Sequence, residues 1–168
     1  MNRKQCSIYH AIIHITKHKS RSFFIDRPGG ISKTFLYNTL LVNVRSREEI
    51  AMAVAFSGIA ALLISDGKTA YSRFKILIKL NESSTCNILQ NSKKACLINM
   101  VKLFIWDEAL MMHKFAFKAI NQTFHDITQV DEPFEGKTFI FGGNFHQVLL
   151  QLGILPNIEF LNTVVIDK

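Results

Sequence analysis

The sequence predicts a single α/β domain with a mostly parallel sheet and helices on both faces of that sheet. Short apolar runs, each the length of a strand buried on both sides, alternate with longer segments that have helical apolar periodicity. With 168 residues, 48% of them apolar, the chain can bury the core of one such domain and is too short for two. A Pro-Gly-Gly turn joins the first strand to a long helix, which is the layout of a phosphate-binding loop.

The chain begins with a predicted helix over residues 2–20, which precedes the first buried strand, Phe23–Asp26. His10, His14 and His18 recur every four residues and therefore share one side of that helix. Such a row can bind a metal ion, but it has neither a carboxylate nor a cysteine partner. A solvated polar face is therefore the favoured interpretation.

The composition and charge of the chain limit the binding partners and the cellular compartment that we expect for it. No apolar run approaches the ~18 residues of a bilayer span. No small-residue cleavage site follows the basic N-terminus, so we expect neither a membrane segment nor a secretory signal. Three cysteines form neither a metal-like pair nor an even disulfide framework, which favours a reducing compartment. The net charge of +7 favours a polyanionic partner such as nucleic acid, although a merely basic soluble protein would carry the same charge.

The loop after the first strand matches half of the phosphate-loop template G-x-x-x-x-G-K-S/T. Lys33 and Thr34 fit the template, whereas Arg27 and Ser32 stand where it has glycine. A lysine and a hydroxyl at the start of a helix are suited to phosphate, because the free backbone N–H groups and the helix dipole also favour negative charge there.

A strand–loop–helix–strand unit surrounds this loop and provides the setting that a phosphate loop requires. Apolar periodicity predicts a helix over Lys33–Val44, and the run Ile50–Ala55 predicts a second buried strand. A further helix is expected after Ser57, a suitable N-cap. Thr69–Lys75 mixes basic and aromatic side chains, which suits single-stranded nucleic acid, although an ordinary surface helix turn looks the same. The polar residues 81–95 predict a loop with room for a short helix.

A hydrophobic strand over residues 100–106 ends in Asp107 and Glu108. The first carboxylate can hold Mg²⁺, and the second can orient and deprotonate an attacking water. The alternative is a strand that merely ends in two solvated acids. The position of the pair, behind a βαβ unit of the same domain, favours the nucleotide site.

The last third of the chain contains a predicted helix over Lys114–Ile127 and a strand over Lys137–Phe141. That strand ends in Gly142–Gln147, a rim position at which ligands gather in open α/β sheets. Gln147 is either a residue that contacts and senses a γ-phosphate or a hydrogen-bonded turn residue. Residues 160–166 predict one more strand.

Six stretches of the chain, taken in order, resemble the Pif family of ATP-dependent DNA helicases, superfamily 1, in the form common to Helitron-type transposons. Tyrosine replaces the family's histidine at position 71, and Asn144 and His146 replace its acid and arginine. The stretches are Asn2 with Gln5, Asp26–Thr34, Ser57–Ala61, Thr69–Phe74, Trp106–Ala109 and Gly142–Gln147.

The resemblance implies a first RecA-like motor domain over residues 1–150, followed by a divergent or truncated tail over 151–168, with the second motor domain absent. It implies a helicase that moves 5′ to 3′ on single-stranded DNA, hydrolyses ATP with Mg²⁺, and acts in repair, recombination and telomere maintenance. A nuclear location is implied, with cytosol or mitochondrion as alternatives; the sequence carries no signal for an oligomeric state.

The resemblance also implies roles for individual residues. The catalytic set is Lys33, Glu108 and Gln147; the nucleotide-binding set is Gln5, Gly29, Gly30, Ser32, Lys33 and Thr34; the Mg²⁺ ligands are Thr34 and Asp107; the DNA-binding set is Ser57, Gly58, Tyr71 and Arg73.

Departures in the loop open a second hypothesis. Ser32 adds a side chain where the backbone must approach phosphate, and Arg27 stands where the family uses a glycine at positive φ. We therefore expect weak nucleotide binding, and the alternative to a helicase motor is a catalytically dead remnant that only binds single-stranded nucleic acid. A third hypothesis is an unrelated basic α/β binding module whose motifs are coincidence, which the ordered motif set disfavours.

Overall fold

The structure is a computed structural model. It describes residues 6, 9–10, 22–26, 31–130, 137–144 and 164–167, without the side chains of residues 31–32 and 164–167. Within these ranges no helix is long and apolar enough to cross a membrane.

A six-stranded sheet forms the centre of the described chain, and every pairing between its strands is parallel. The spatial order is β3-β2-β4-β5-β1-β6, so the first strand lies between the last two. The predicted parallel α/β sheet is therefore confirmed. The strands are β1 (Ser22–Asp26), β2 (Ile50–Ala55), β3 (Lys68–Thr69), β4 (Val101–Asp107), β5 (Thr138–Gly143) and β6 (Val164–Asp167).

In the part of the chain that the structure describes, five complete helices and one 3₁₀ turn connect these strands, and Tyr9 and His10 are also helical. Serine or threonine caps begin three of them: the side chains of Ser57, Thr69 and Ser92 each accept a hydrogen bond from a backbone N–H three residues later. The helices are α1 (Ile31–Arg45), α2 (Gly58–Leu62), α3 (Ala70–Phe74), α4 (Lys93–Met100) and α5 (Lys114–Thr128), with the 3₁₀ turn at Ala109–Met111.

One predicted boundary differs from the structure. The polar loop expected over 81–95 ends sooner, because Ser92 caps a helix that starts at Lys93. The strand predicted over residues 160–166 overlaps β6, which pairs with β1. The domain boundary itself stays a prediction.

Alternate residues of the strands point to two separate cores, one on each face of the sheet. On β4, Phe104 and Trp106 lie in an aromatic core beneath α5, and Ile105 lies in an aliphatic core beneath α1. Both faces are thus covered by helices, and the helix that carries Lys33 is packed against the sheet along its length. Its buried residues are Leu36, Tyr37, Leu40, Leu41 and Val44.

Candidate nucleotide site

Three parallel strands bring the predicted site residues to one edge of the sheet. β5 lies between β4 and β1, so the carboxyl ends of these strands are neighbours. Asp107 is the last residue of β4, Gly143 is the last of β5, and Asp26, the last of β1, pairs in register with Gly143. α1 begins shortly after β1, and therefore starts at this same edge.

Lys33, in the first turn of α1, is held by the ends of two different strands. Its Nζ lies 3.7 Å from Asp107 Oδ1 and donates to the backbone oxygen of Gly143 at 3.3 Å. Lys33 is 7% exposed and Asp107 is 9% exposed, so their charges are largely removed from water. Buried charges need partners of this kind, because an unpaired one is costly to desolvate. The lysine of the loop and the first acid therefore lie together, and the roles predicted for them, phosphate binding and Mg²⁺ binding, stay predictions.

Asp107 has a second buried partner that the sequence analysis did not identify. The hydroxyl of Tyr37 donates to Asp107 Oδ1 at 3.2 Å, and the tyrosine is fully buried. Burial first, then the charge of Asp107 and the hydrogen bond to it, raise the pKa of Tyr37 well above its ordinary value. The phenol is thus a neutral donor. The available signal was spacing: residues four apart on a helix share a face, and Tyr37 follows Lys33 by four.

Glu108 is directed away from this pair and towards the end of β2. Its backbone is left-handed, with φ 53°, a conformation that costs a residue other than glycine ~1–3 kcal/mol and that clusters at functional sites. Its Oε2 accepts a hydrogen bond from the backbone N–H of Ser57 at 3.1 Å. The preceding backbone is held as well, because Phe56 N–H donates to the carbonyl of Asp107 at 3.2 Å. The predicted water-activating acid is therefore joined directly to the predicted DNA-contacting segment.

Two glycines at the end of β5 allow the elements to approach this closely. A Cβ at Gly142 would collide with the Tyr37 hydroxyl and lie 2.8 Å from Asp107 Oδ1. A Cβ at Gly143 would lie 2.8 Å from Leu110 Cδ1 and 2.9 Å from Phe24 Cζ. Contacts under 3 Å force a shift of the neighbouring side chains, so a side chain is disfavoured at both positions.

The described residues include only part of the predicted nucleotide set. Thr34 follows Lys33 in the first turn of α1 and is half-buried, and the backbone of Ser32 is helical. The predicted nucleotide-binding residues Gln5, Gly29 and Gly30 and the predicted catalytic Gln147 lie outside the described ranges, so these assignments stay predictions. Arg27, the departure from the loop template, lies outside them as well.

The predicted DNA-contacting residues lie on the β2–β3 side of the sheet. Ser57 caps α2, Gly58 is exposed, and Tyr71 is half-buried against the aromatic core. Arg73 has a role within the fold, since its guanidinium donates to the backbone oxygen of Asp66 at 3.0 Å. Burial lowers the pKa of Arg73, and the charge of Asp66 opposes that shift.

A group of cations near Arg73 was missed because its members are spread along the sequence. Burial lowers the pKa of Lys94, and the nearby charges of Lys75, Arg73 and Lys68 lower it further. These residues come from β3, α3, the residue after α3, and the first turn of α4. We call Lys68, Arg73, Lys75 and Lys94 the basic cluster.

The fold and the site together define a class: an α/β nucleotide-binding domain in which a helix-start lysine meets a strand-end aspartate at the carboxyl edge of a parallel sheet. Sequence comparison identifies the family within that class. The profile of the PIF1-like helicase family matches residues 1–154, so the chain belongs to that family. The resemblance inferred from the six stretches is confirmed.

Relatives and solved structures agree with this assignment. The ATP-dependent DNA helicase Pif1 of Psychrobacter sp. (strain PRwf-1) is 28% identical over 130 residues, 76% of this chain and 20% of the relative. Pif1 helicase from Bacteroides in complex with ADP-AlF3 and ssDNA matches with TM-score 0.71 at 20% identity, covering 99% of this chain and 42% of that one. Pif1 helicase from Candida albicans matches with TM-score 0.71 at 19% identity, covering 87% and 33%. These likenesses show the RecA-like fold, and the chain spans about a fifth of its curated relative.

The space around the two strand-end glycines leads to a first prediction. Gly143→Ala will lower the free energy of unfolding by about 1–3 kcal/mol, because its methyl group overpacks against Leu110 and Phe24. Gly58→Ala is the matched control: a Cβ added at Gly58 would meet no atom within 4 Å, and the residue starts a helix. Urea unfolding of the two variants measures both effects. Equal stability of the two variants would contradict the packing described at β5.

Proposed function

We propose that this chain forms the ATP-binding motor domain of a DNA helicase that couples ATP hydrolysis to 5′–3′ movement on single-stranded DNA. The observation that carries the proposal is the contact between Lys33 and Asp107 at one edge of the sheet, next to Glu108, although 74 residues separate the lysine from the aspartate. Membership of the PIF1-like helicase family supports it, as does the fold shared with Pif1 from Bacteroides in complex with ADP-AlF3 and ssDNA.

Magnesium fits the residues around Asp107. Mg²⁺ prefers oxygen ligands and is usually held by one or two carboxylates together with substrate phosphates. In the described ranges no group of three or more His, Cys, Asp or Glu residues could hold a metal ion, so a protein-only cage is absent there. Thr34 and Asp107 would hold Mg²⁺ through their hydroxyl and carboxylate oxygens. The bound ion would neutralise charge on the phosphates.

The proposed roles follow from position and charge. Lys33 lies at the positive end of α1, so its ammonium group would hold the β- and γ-phosphates together with the helix-start N–H groups. Glu108 would orient and deprotonate the attacking water. The Ser57 N–H fixes the carboxylate that does so, which gives the DNA-contacting segment a direct bond to the hydrolysis site. Gln147 would report on the γ-phosphate.

The DNA strand would run along the β2–β3 side of the sheet. Ser57 and Gly58 lie at the start of α2, and Tyr71 shares α3 with Arg73 of the basic cluster. Lysine and arginine side chains contact phosphates, and an aromatic ring can stack on a base. Through family resemblance alone, this proposal also includes roles in repair, recombination and telomere maintenance, descent from a Helitron-type element, and a nuclear location.

The second candidate is a remnant that binds single-stranded nucleic acid and has lost nucleotide turnover. Arg27 and Ser32, at the two template glycines, favour it. If the loop has decayed, changing both residues to glycine will restore tight binding of a fluorescent ATP analogue. Tight binding by the unchanged chain, with hydrolysis stimulated by single-stranded DNA, would reject the remnant.

The nucleotide role of Lys33 gives the second prediction. Lys33→Ala will weaken binding of the fluorescent analogue mant-ATP about 10–100-fold, because charge-assisted hydrogen bonds to phosphate are lost. Lys102→Ala is the control, since Lys102 is exposed on β4 away from its carboxyl end. Fluorescence titration in Mg²⁺ compares the two variants. Equal affinity in both would contradict the assignment of Lys33.

The DNA path gives the third prediction. Each of Lys68→Ala, Lys75→Ala and Lys94→Ala will reduce the slope of log affinity against log salt by about 0.7 for single-stranded DNA, because each removes one phosphate contact. Lys118→Ala is the matched control: Lys118 lies on α5 and pairs with Glu82 at 2.6 Å. Fluorescence anisotropy with a labelled oligonucleotide at graded salt measures the slopes. A change for Lys118→Ala equal to the others would refute a localised DNA path.

A further inference from the structure

We propose that Tyr37 is a positioning residue for Asp107: its hydroxyl holds the carboxylate in the orientation that binds the metal, and Gly142 provides the space in which it does so. This inference rests on the proposed function, because it assigns Tyr37 a part in metal-dependent nucleotide binding. Tyr37 belongs to none of the six family-like stretches.

The geometry around Asp107 supports this role. Tyr37 hydroxyl and Lys33 Nζ both approach Oδ1 of the carboxylate, at 3.2 Å and 3.7 Å. Both donors come from α1, one helical turn apart, and both are buried. A carboxylate oxygen that accepts a hydrogen bond from Tyr37 and forms an ion pair with Lys33, both on one helix, cannot rotate about its Cβ–Cγ bond without losing both contacts. The position of Asp107 is therefore set by α1.

The chemistry of a phenol suits this task better than a second cation would. A lysine in place of Tyr37 would cancel the negative charge by which Asp107 attracts a divalent ion. A neutral hydroxyl donates one hydrogen bond and leaves the charge of the carboxylate in place. Lys33 is then available to exchange Asp107 for phosphate without leaving a buried carboxylate with no donor.

Gly142 has no side chain at the place that the Tyr37 hydroxyl occupies. A Cβ at this position would collide with the hydroxyl, and would lie 3.0 Å from Tyr37 Cζ and 2.8 Å from Asp107 Oδ1. The hydroxyl thus occupies volume that a side chain on β5 would need. A tyrosine that only filled the core would have no reason to place its hydroxyl against Gly142, where β5 has no side chain.

The test compares Tyr37→Phe with Tyr9→Phe. Tyr9 also packs against the core beneath α1, so Tyr9→Phe removes a hydroxyl from the same region without touching Asp107. The measurement is mant-ATP binding by the whole chain, first in EDTA and then at increasing Mg²⁺.

For Tyr37→Phe we expect metal-free binding within twofold of the unchanged chain, and a Mg²⁺ midpoint raised about tenfold, since a hydrogen bond to a charged group is lost. Tyr9→Phe will leave both unchanged. An unshifted Mg²⁺ midpoint for Tyr37→Phe, or an equal loss of metal-free and metal-bound affinity, would overturn the positioning role.

Gly142→Ala tests whether the Tyr37 hydroxyl needs the space that Gly142 leaves open. In the unchanged chain it will lower the unfolding temperature, and in the Tyr37→Phe background the drop will be at least halved, because the hydroxyl it strikes is gone. Equal drops in the two backgrounds would overturn the link between Gly142 and the hydroxyl.

A readout without nucleotide separates this inference from the proposed function. The chain has three tyrosines, and labelling them with ¹³C allows NMR detection of each hydroxyl proton. The Tyr37 hydroxyl will exchange slowly with water in the unchanged chain and rapidly in Asp107→Ala. Rapid exchange in both overturns the contact. Absence of any nucleotide binding by the unchanged chain would instead overturn the proposed function and the metal role of Tyr37.

Discussion

The buried carboxylate of Asp107 is the constraint on which the rest of the site depends. A charge this far from water is tolerated only with partners, and Asp107 has Lys33 and Tyr37, both from α1. This requirement fixes the start of α1 against the end of β4. It also excludes a side chain at Gly142, because the space is filled by the tyrosine hydroxyl. One helix, two strands and a glycine are thus arranged around a single oxygen atom.

The side chains of the adjacent acids Asp107 and Glu108 point in different directions, which suits them to different roles. Asp107 faces α1, where phosphate and metal would be held, and Glu108 turns through a left-handed backbone to meet the Ser57 N–H. The strained residue Glu108 therefore lies between the proposed nucleotide site at Asp107 and the proposed DNA-contacting segment at Ser57. In the proposed motor, DNA bound beside α2 would act on the bond between Ser57 and Glu108, and so would link DNA contact to hydrolysis.

The sequence predicted the parts of the site that are marked by local patterns. Lys33, Asp107 and Glu108 were predicted because they stand at a helix start or a strand end within a motif. The structure places Lys33 against Asp107, and the roles of all three stay predictions. Tyr37 lies outside any motif. Its spacing places it on the same helix face as Lys33, but only the fold brings Asp107, 70 residues away, to that face. The strand order and the basic cluster were missed for the same reason: both depend on long-range packing. Arg73, predicted to contact DNA, also has a bond to Asp66 within the fold.

A crystal structure of the chain grown with Mg²⁺, ADP and aluminium fluoride tests the central claim most directly. We expect phosphate density at the start of α1, with Lys33 Nζ within hydrogen-bonding distance of it and the metal between the oxygens of Thr34 and Asp107. The Tyr37 hydroxyl will still donate to Asp107. Nucleotide bound elsewhere, with Lys33 still on Asp107 and Gly143, would contradict the assignment of this edge of the sheet as the hydrolysis site.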